Sequence, residues 1–261
     1  MPWYPRVVRA SWRSIGLLAL LAACGDSGGD RDGGGGGDGD GGGGIDASGG
    51  GNGDGGGGQC GVLTAHYRDF RADHADFEDA IADDRGLVEV DIGADRKPVY
   101  APAGATATVS GQASFDQWYR DVGGINMRFD MPMVFTETSP GNFEFSDSEF
   151  FPLDGVGWGE EVQGHNFHFT TELHGTFRYR GGEVFTFTGD DDVFVFVNGK
   201  LALDLGGVHG PQSDTIDFDA QAGALGITTG GVYTLDAFHA ERHTSMSNFR
   251  IETSIDCLVI P

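Results

Sequence analysis

The chain has 261 residues, 46 of them glycine, and a formal net charge of −24. That charge excludes nucleic acid as a partner, because phosphate contacts need a basic surface. It fits a protein that meets divalent cations or neutral sugars, or one kept soluble by its acidic surface.

Arg6, Arg9 and Arg13 precede the short apolar run Ile15 to Ala23, the charged-then-apolar layout of an export signal. The run is too short to cross a bilayer as a helix, which takes about 20 apolar residues. It ends in Leu21-Ala22-Ala23-Cys24, which resembles a bacterial lipobox. The resemblance implies a signal peptide over 1–23, cleavage before Cys24 and acylation of its thiol, and hence a membrane anchor. Residues 24–58 are almost entirely Gly with scattered Asp, Ser and Asn. Such a segment has nothing to bury, so a disordered tether is expected.

Residues 59–261 remain as one all-β domain, with 33 acidic residues against 12 basic. Cys60 and Cys257 bracket it, and outside the cytoplasm an isolated pair is most simply a disulfide. A short strand is expected from Val62, then a helical turn or two over 74–82 with Phe77 and Ile81 at i,i+4 spacing. A short strand at Leu87 to Ile92, a loop to Gly104 and a helical turn over Ser114 to Tyr119 should follow. From Ile125 onward strand alternation dominates, broken by the Gly-rich loop DGVGWGEEVQG. Short strands separated by turn residues, with little helix, predict a β-sandwich or barrel.

The stretch GDDDVFVFVNGKLALDLGG, Gly189 to Gly207, carries the chemistry. Three aspartates enter a β-branched and aromatic strand that stops at Asn198-Gly199, a pair suited to a two-residue hairpin turn. With Val197 facing Lys200, a regular register sets Val193 against Asp204 and leaves Asp191 and Asp204 as diagonal neighbours on one face. Like charges so close need protons or a cation, and calcium collects oxygen ligands of this kind. The same run also reads as a solvated acidic turn. It is not an EF-hand loop, because the fifth residue from Asp190 is Phe194.

WYRDVGGINM, HNFHFTTELHGTF, GDDDVFVFVNGKLALDLGGVHG and AERHTSMSNFRIE together resemble the fibro-slime domain, a surface module related to the PA14 β-barrel. The resemblance covers about Leu63 to Asp256. It implies a PA14-like barrel or sandwich that binds carbohydrate, with adjacent aspartates joined by a cis peptide holding calcium; these fall on Asp190 and Asp191. Asp192 stands where the related pattern has Gly. Asp204 and Asn248 are further metal candidates, and His209 and Glu241 are candidates for contacting a ligand. His239, Glu241 and His243 do not form the HExxH pattern of zinc proteases. No nucleophile motif is present, and no carboxylate pair stands out as a glycosidase site. The sequence therefore reads as a non-enzymatic, exported, lipid-anchored surface protein that binds extracellular glycan or a matrix polymer through calcium. A self-assembling matrix protein with a folding calcium ion is the alternative, and a glycoside hydrolase a weaker one.

Overall fold

The computed structural model of the chain describes residues 61–78, 80–159 and 164–258. The expected signal peptide, nearly all of the tether, Cys24 and Cys60 lie outside them. The described elements are β1 (Val62–Phe70), β2 (Ala82–Asp83), α1 (Gln112–Phe115), β3 (Asn126–Val134), β4 (Thr136–Ser139), β5 (Asn142–Asp147) and β6 (Phe169–Arg178). They continue with β7 (Val184–Gly189), β8 (Asp192–Val197), β9 (Lys200–Leu205), β10 (Gly207–Val208), β11 (Gln212–Asp217), α2 (Phe218–Leu225), β12 (Val232–Glu241) and β13 (Phe249–Thr253).

A six-stranded sheet, in the order β3-β1-β6-β12-β8-β9, faces a five-stranded sheet, β11-β7-β13-β5-β4; β10 and β2 form a small pair. Every strand pair is antiparallel. Period-two alternation sends Leu63, Ala65, Tyr67, Val193, Val195, Val197, Leu235 and Ala237 inward from the larger sheet. Phe185, Phe187, Phe249 and Ile251 meet them from the smaller one.

The larger sheet is also covered on its outer face. Phe194, Phe196, Phe238 and Ala240 pack there against Leu87, Val88, Tyr100, Phe115, Trp118 and Tyr119, so residues 84–125 cap this end of the sheet. β8 is therefore buried on both faces, which explains why its sequence VFVFV is an unbroken apolar run. Further along the same outer face the contacts are ionic. Arg68 Nη1 donates to Glu172 Oε2 at 2.7 Å, and Lys97 and His174 Nε2 both reach Glu172 Oε1. His174 Nδ1 lies 2.6 Å from Asp236 Oδ1, which also takes Arg96. These contacts pin residues 93–97 to the sheet.

Several local expectations are corrected. Residues 71–78 form turns rather than a helix, and Phe77 is buried while Ile81 is 68% exposed, so the two do not share a face. In place of a strand over 87–92 there are two isolated bridges, Val88 to Tyr100 and Asp91 to Lys200. The helical turn runs Gln112–Phe115, so only its last two residues, Ser114 and Phe115, fall in the expected span. β11 and α2 were not anticipated. α2 nevertheless carries its own signals: Asp217 accepts from Ala220 N as N-cap, and Gly226 ends the helix in the left-handed conformation.

Candidate functional site

The hairpin turns at Asn198 and Gly199, with φ of 51° and 74°, and pairs Val197 with Lys200 as expected. Between Val195 and Phe196 a bulge shifts the register, leaving Ala202 unpaired and setting Val193 against Leu205 and Phe194 against Asp204. Asp204 is thereby removed from the aspartate run. Its carboxylate accepts instead from the backbone N–H of Gly206 (2.9 Å) and of Gly86 (2.8 Å). The expected pairing of Asp191 with Asp204 rested on an uninterrupted register, and the extra residue cancels it.

The aspartates do not form a solvated turn: Asp190, Asp191 and Asp192 are 3%, 4% and 0% exposed. The Asp190–Asp191 peptide is cis, as the family resemblance implied. Asp190 accepts from Asn248 N at 2.6 Å and Nδ2 at 3.0 Å. Asn248 thus reaches this place, but it presents donors to Asp190. Asp191 accepts from His209 N at 2.9 Å and Arg242 N at 3.1 Å. The ring of His209 is turned to the carbonyls of Gly210 and Leu205. Asp192 accepts from Gly207 N at 2.7 Å and Arg242 Nε at 2.6 Å. Gly207 is required by space: its φ is +120°, and a Cβ there would lie 2.3 Å from Ala82 O.

Arg242 is wholly buried. Its guanidinium also donates to Asp76 O (2.9 Å) and Thr108 O (2.7 Å), and it lies over the Trp118 ring at 4.6 Å. One side chain thus neutralises Asp192 and ties the aspartate run to the cap. The preceding residue, Glu241, has no such partner. It is 0% exposed and neither carboxylate oxygen makes a well-formed hydrogen bond: the Ser247 hydroxyl beside it donates to Phe150 O, and the Ser247 side chain and the His243 N–H act on it only weakly against burial. Burial, then the charges of Asp191 and Asp190, push the Glu241 carboxyl well above its usual range. Burial, reinforced by Asp192, pushes Asp191 up to about 7. Burial likewise raises Asp190 against its hydrogen bonds from Asn248, and Asp192 against the charge of Arg242.

Asp190, Asp191, Asp192 and Glu241 are all buried, and the one guanidinium beside them, that of Arg242, is bound to Asp192 and also faces Asp191 and buried Asp76, so full ionisation leaves negative charge in excess. A small cavity of about 60 Å³ opens onto Asp190, Asp191, His209 and His243, between the exposed side chains of Ile81 and Met246. Among the described residues no group of three or more His, Cys, Asp or Glu side chains is placed so that it could hold a metal ion. The donor chemistry does fit calcium: hard carboxylate oxygens, an orphaned buried carboxylate and charge in excess. His239, Glu241 and His243 do not converge. His239 points into the core, while His243 faces Glu78 at 3.7 Å. Arg242 and His239 were missed as site residues, although both lie in or beside the AERH motif. Cys257 carries a disulfide, and its expected partner Cys60 lies outside the described residues.

The fold and the acidic cradle define a β-sandwich module with a built carboxylate site at one end. Residues 152–258 match the PA14 domain family. Protein psiD of Dictyostelium discoideum is 37% identical over 66% of this chain and 36% of its own length. Protein psiQ of the same organism is 36% identical over 66% of this chain and 18% of its own length. The chain therefore spans about a third or less of these relatives. Among solved structures, the PA14 sugar-binding domain from an RTX adhesin is 10% identical, covering 75% of this chain and 90% of that one, with a TM-score of 0.32. The PA14 domain of the antifreeze protein MpAFP is 13% identical over 72% and 78%, with a TM-score of 0.29. The chain is a fibro-slime/PA14 domain protein.

Proposed function

We propose that this domain is a cell-surface binding module that takes extracellular glycan or matrix polymer through a calcium ion held by Asp190, Asp191 and Glu241. The observation that carries the reading is Glu241: a fully buried carboxylate with no cationic partner and no well-formed hydrogen bond, facing two more carboxylates. Such a group is stable only when a proton or a cation compensates it. Calcium bound there would offer open coordination positions to sugar hydroxyls. Asn248, His209 and the Arg242 main chain orient the aspartates, and Asp192 is committed to Arg242. The mouth suits a sugar, because Ile81 and Met246 offer apolar contact to its C–H faces beside the acidic centre. The PA14 match supports binding rather than catalysis. Acylation at Cys24, the 24–58 tether and a Cys60–Cys257 disulfide belong to the same proposal, which places the module at the cell envelope or outer surface.

The test is calorimetric titration of calcium into the chelator-treated full chain, beside an Asp190→Asn/Asp191→Asn double variant, followed by glycan screening with and without calcium. Binding that vanishes in the variant, and glycan capture that needs calcium, are expected. No heat in the native chain overturns the calcium reading. Calcium binding without glycan capture, accompanied by concentration-dependent oligomers, makes the ion a folding ion of a self-assembling matrix protein.

A further inference from the structure

His239 lies on β12 two residues before Glu241, so both side chains point to the same inner face of the sandwich. It is 2% exposed, and its ring lies 5.1–6.4 Å from those of Phe150, Phe169, Phe187 and Phe249. Packing alone would favour a fifth aromatic hydrocarbon at this position, because a buried imidazole loses its hydration. The ring's polar contacts show what it gains. Nε2 lies 2.8 Å from the carbonyl oxygen of Asp190, and Nδ1 lies 3.3 Å from Thr171 Oγ1. Thr171 is the cross-strand partner of His239 on β6.

Neither contact carries a counter-charge, so the ring is neutral and has one N–H. A carbonyl only accepts, which places that proton on Nε2 and leaves Nδ1 to accept from the Thr171 hydroxyl. The remaining anchors of Asp190 all come from Asn248: its carbonyl takes Asp190 N at 3.3 Å, and its two donors hold the carboxylate. His239 is therefore the contact that reaches Asp190 from within the core, and it does so from the strand that carries Glu241.

We infer that His239 is a positioning residue of the carboxylate site: by donating Nε2–H to the Asp190 carbonyl, it fixes Asp190 relative to Glu241. This rests on the calcium reading above. The ring touches no ion or sugar; it acts through Asp190.

The test compares His239→Phe, which suits the aromatic cage but has no donor, with His239→Gln, whose side-chain amide can still donate. Calcium alone is titrated into the chelator-treated full chain, and melting temperatures are recorded without calcium. The Phe variant should keep a melting temperature near the native one yet bind calcium about tenfold more weakly, the scale of one hydrogen bond's worth of positioning. The Gln variant should stay within about threefold of native on the same scale. Native-like calcium binding by His239→Phe, or an equal loss in both variants, overturns the inference alone. A native chain that takes up no calcium overturns the calcium reading and this inference together. If His239→Phe does not fold, long-range proton–nitrogen correlation on the native full chain decides: the Nε2–H tautomer is expected, and a proton on Nδ1 overturns the inference.

Discussion

His174 stands between two buried carboxylates, with Nδ1 2.6 Å from Asp236 Oδ1 and Nε2 on Glu172 Oε1. Only an imidazolium can donate to both; a neutral ring would turn a lone pair toward one carboxylate. Burial by itself lowers the pKa of His174, but the hydrogen bonds to Asp236 and Glu172 outweigh it and raise the pKa. The other groups facing this cluster are Arg96 on Asp236, Arg68 and Lys97 on Glu172, and the ring of His66 at 6.2 Å. Replacing His174 by Gln removes the charge while the remaining cations still cover both carboxylates. With charge-assisted bonds at about 1.5–3 kcal/mol each and partial compensation, the net loss should be about 2–4 kcal/mol. At about 2–4 °C per kcal/mol for a domain of this size, the melting temperature should fall by roughly 4–16 °C at pH 6.

The loss should itself depend on pH. The folded-state pKa of His174 lies above its unfolded value of about 6.5, so the stabilisation is fully present below about pH 6.5 and fades as pH rises through the folded pKa. Thermal unfolding of native and His174→Gln full chain, followed by circular dichroism from pH 6 to pH 9, should show a gap that narrows toward alkaline pH. A gap of constant size would refute the imidazolium bridge and leave His174 as a packing residue.

Arg242→Met leaves Asp192 buried without its cation and should destabilise the chain by about 3–5 kcal/mol in urea unfolding. Adding Asp192→Asn should recover much of this, and strict additivity of the two changes would count against the pairing. Glu241→Gln should move two readouts in opposite directions, raising the melting temperature without calcium while weakening calcium binding; a fall in both would make Glu241 a purely structural acid. Gly207→Ala places a Cβ 2.3 Å from Ala82 O at a left-handed φ and should destabilise by about 2–4 kcal/mol; an unchanged urea midpoint would contradict the close approach.

The all-β class, the hairpin turn and the buried strand of 193–197 were legible because they depend on local signals: alternation, Asn-Gly and a β-branched run. The register beyond the turn was not. No residue type marks Ala202 as the bulge, and a one-residue slip moves every later side chain to the other face. That slip carried Asp204 away from the site. The partners of Asp192 and Asp190 were illegible for another reason: Arg242 and His239 come from β12, about 50 residues away, and only the sheet order β12-β8 brings them together. The cap over 84–125 shows the same limit, since a helical turn expected over Ser114 to Tyr119 does not reveal which face of which sheet Trp118 and Tyr119 cover.

Asp192 occupies a place where the related pattern has Gly, which by sequence reads as a threat to the loop's geometry. The structure resolves this in two contacts. One oxygen takes the N–H of Gly207, and the other takes the guanidinium of Arg242, which is tied in turn to the cap at Asp76 and Thr108. The added carboxylate thus brings its own fixed cation, which opposes the effect of its charge on Asp191. Asp190, Asp191 and Glu241 together carry three negative charges when ionised, which a monovalent ion would offset only to two and a divalent ion to one. On the proposed reading, a doubly charged hard cation is therefore favoured over sodium or potassium by charge alone, before size or ligand geometry enters.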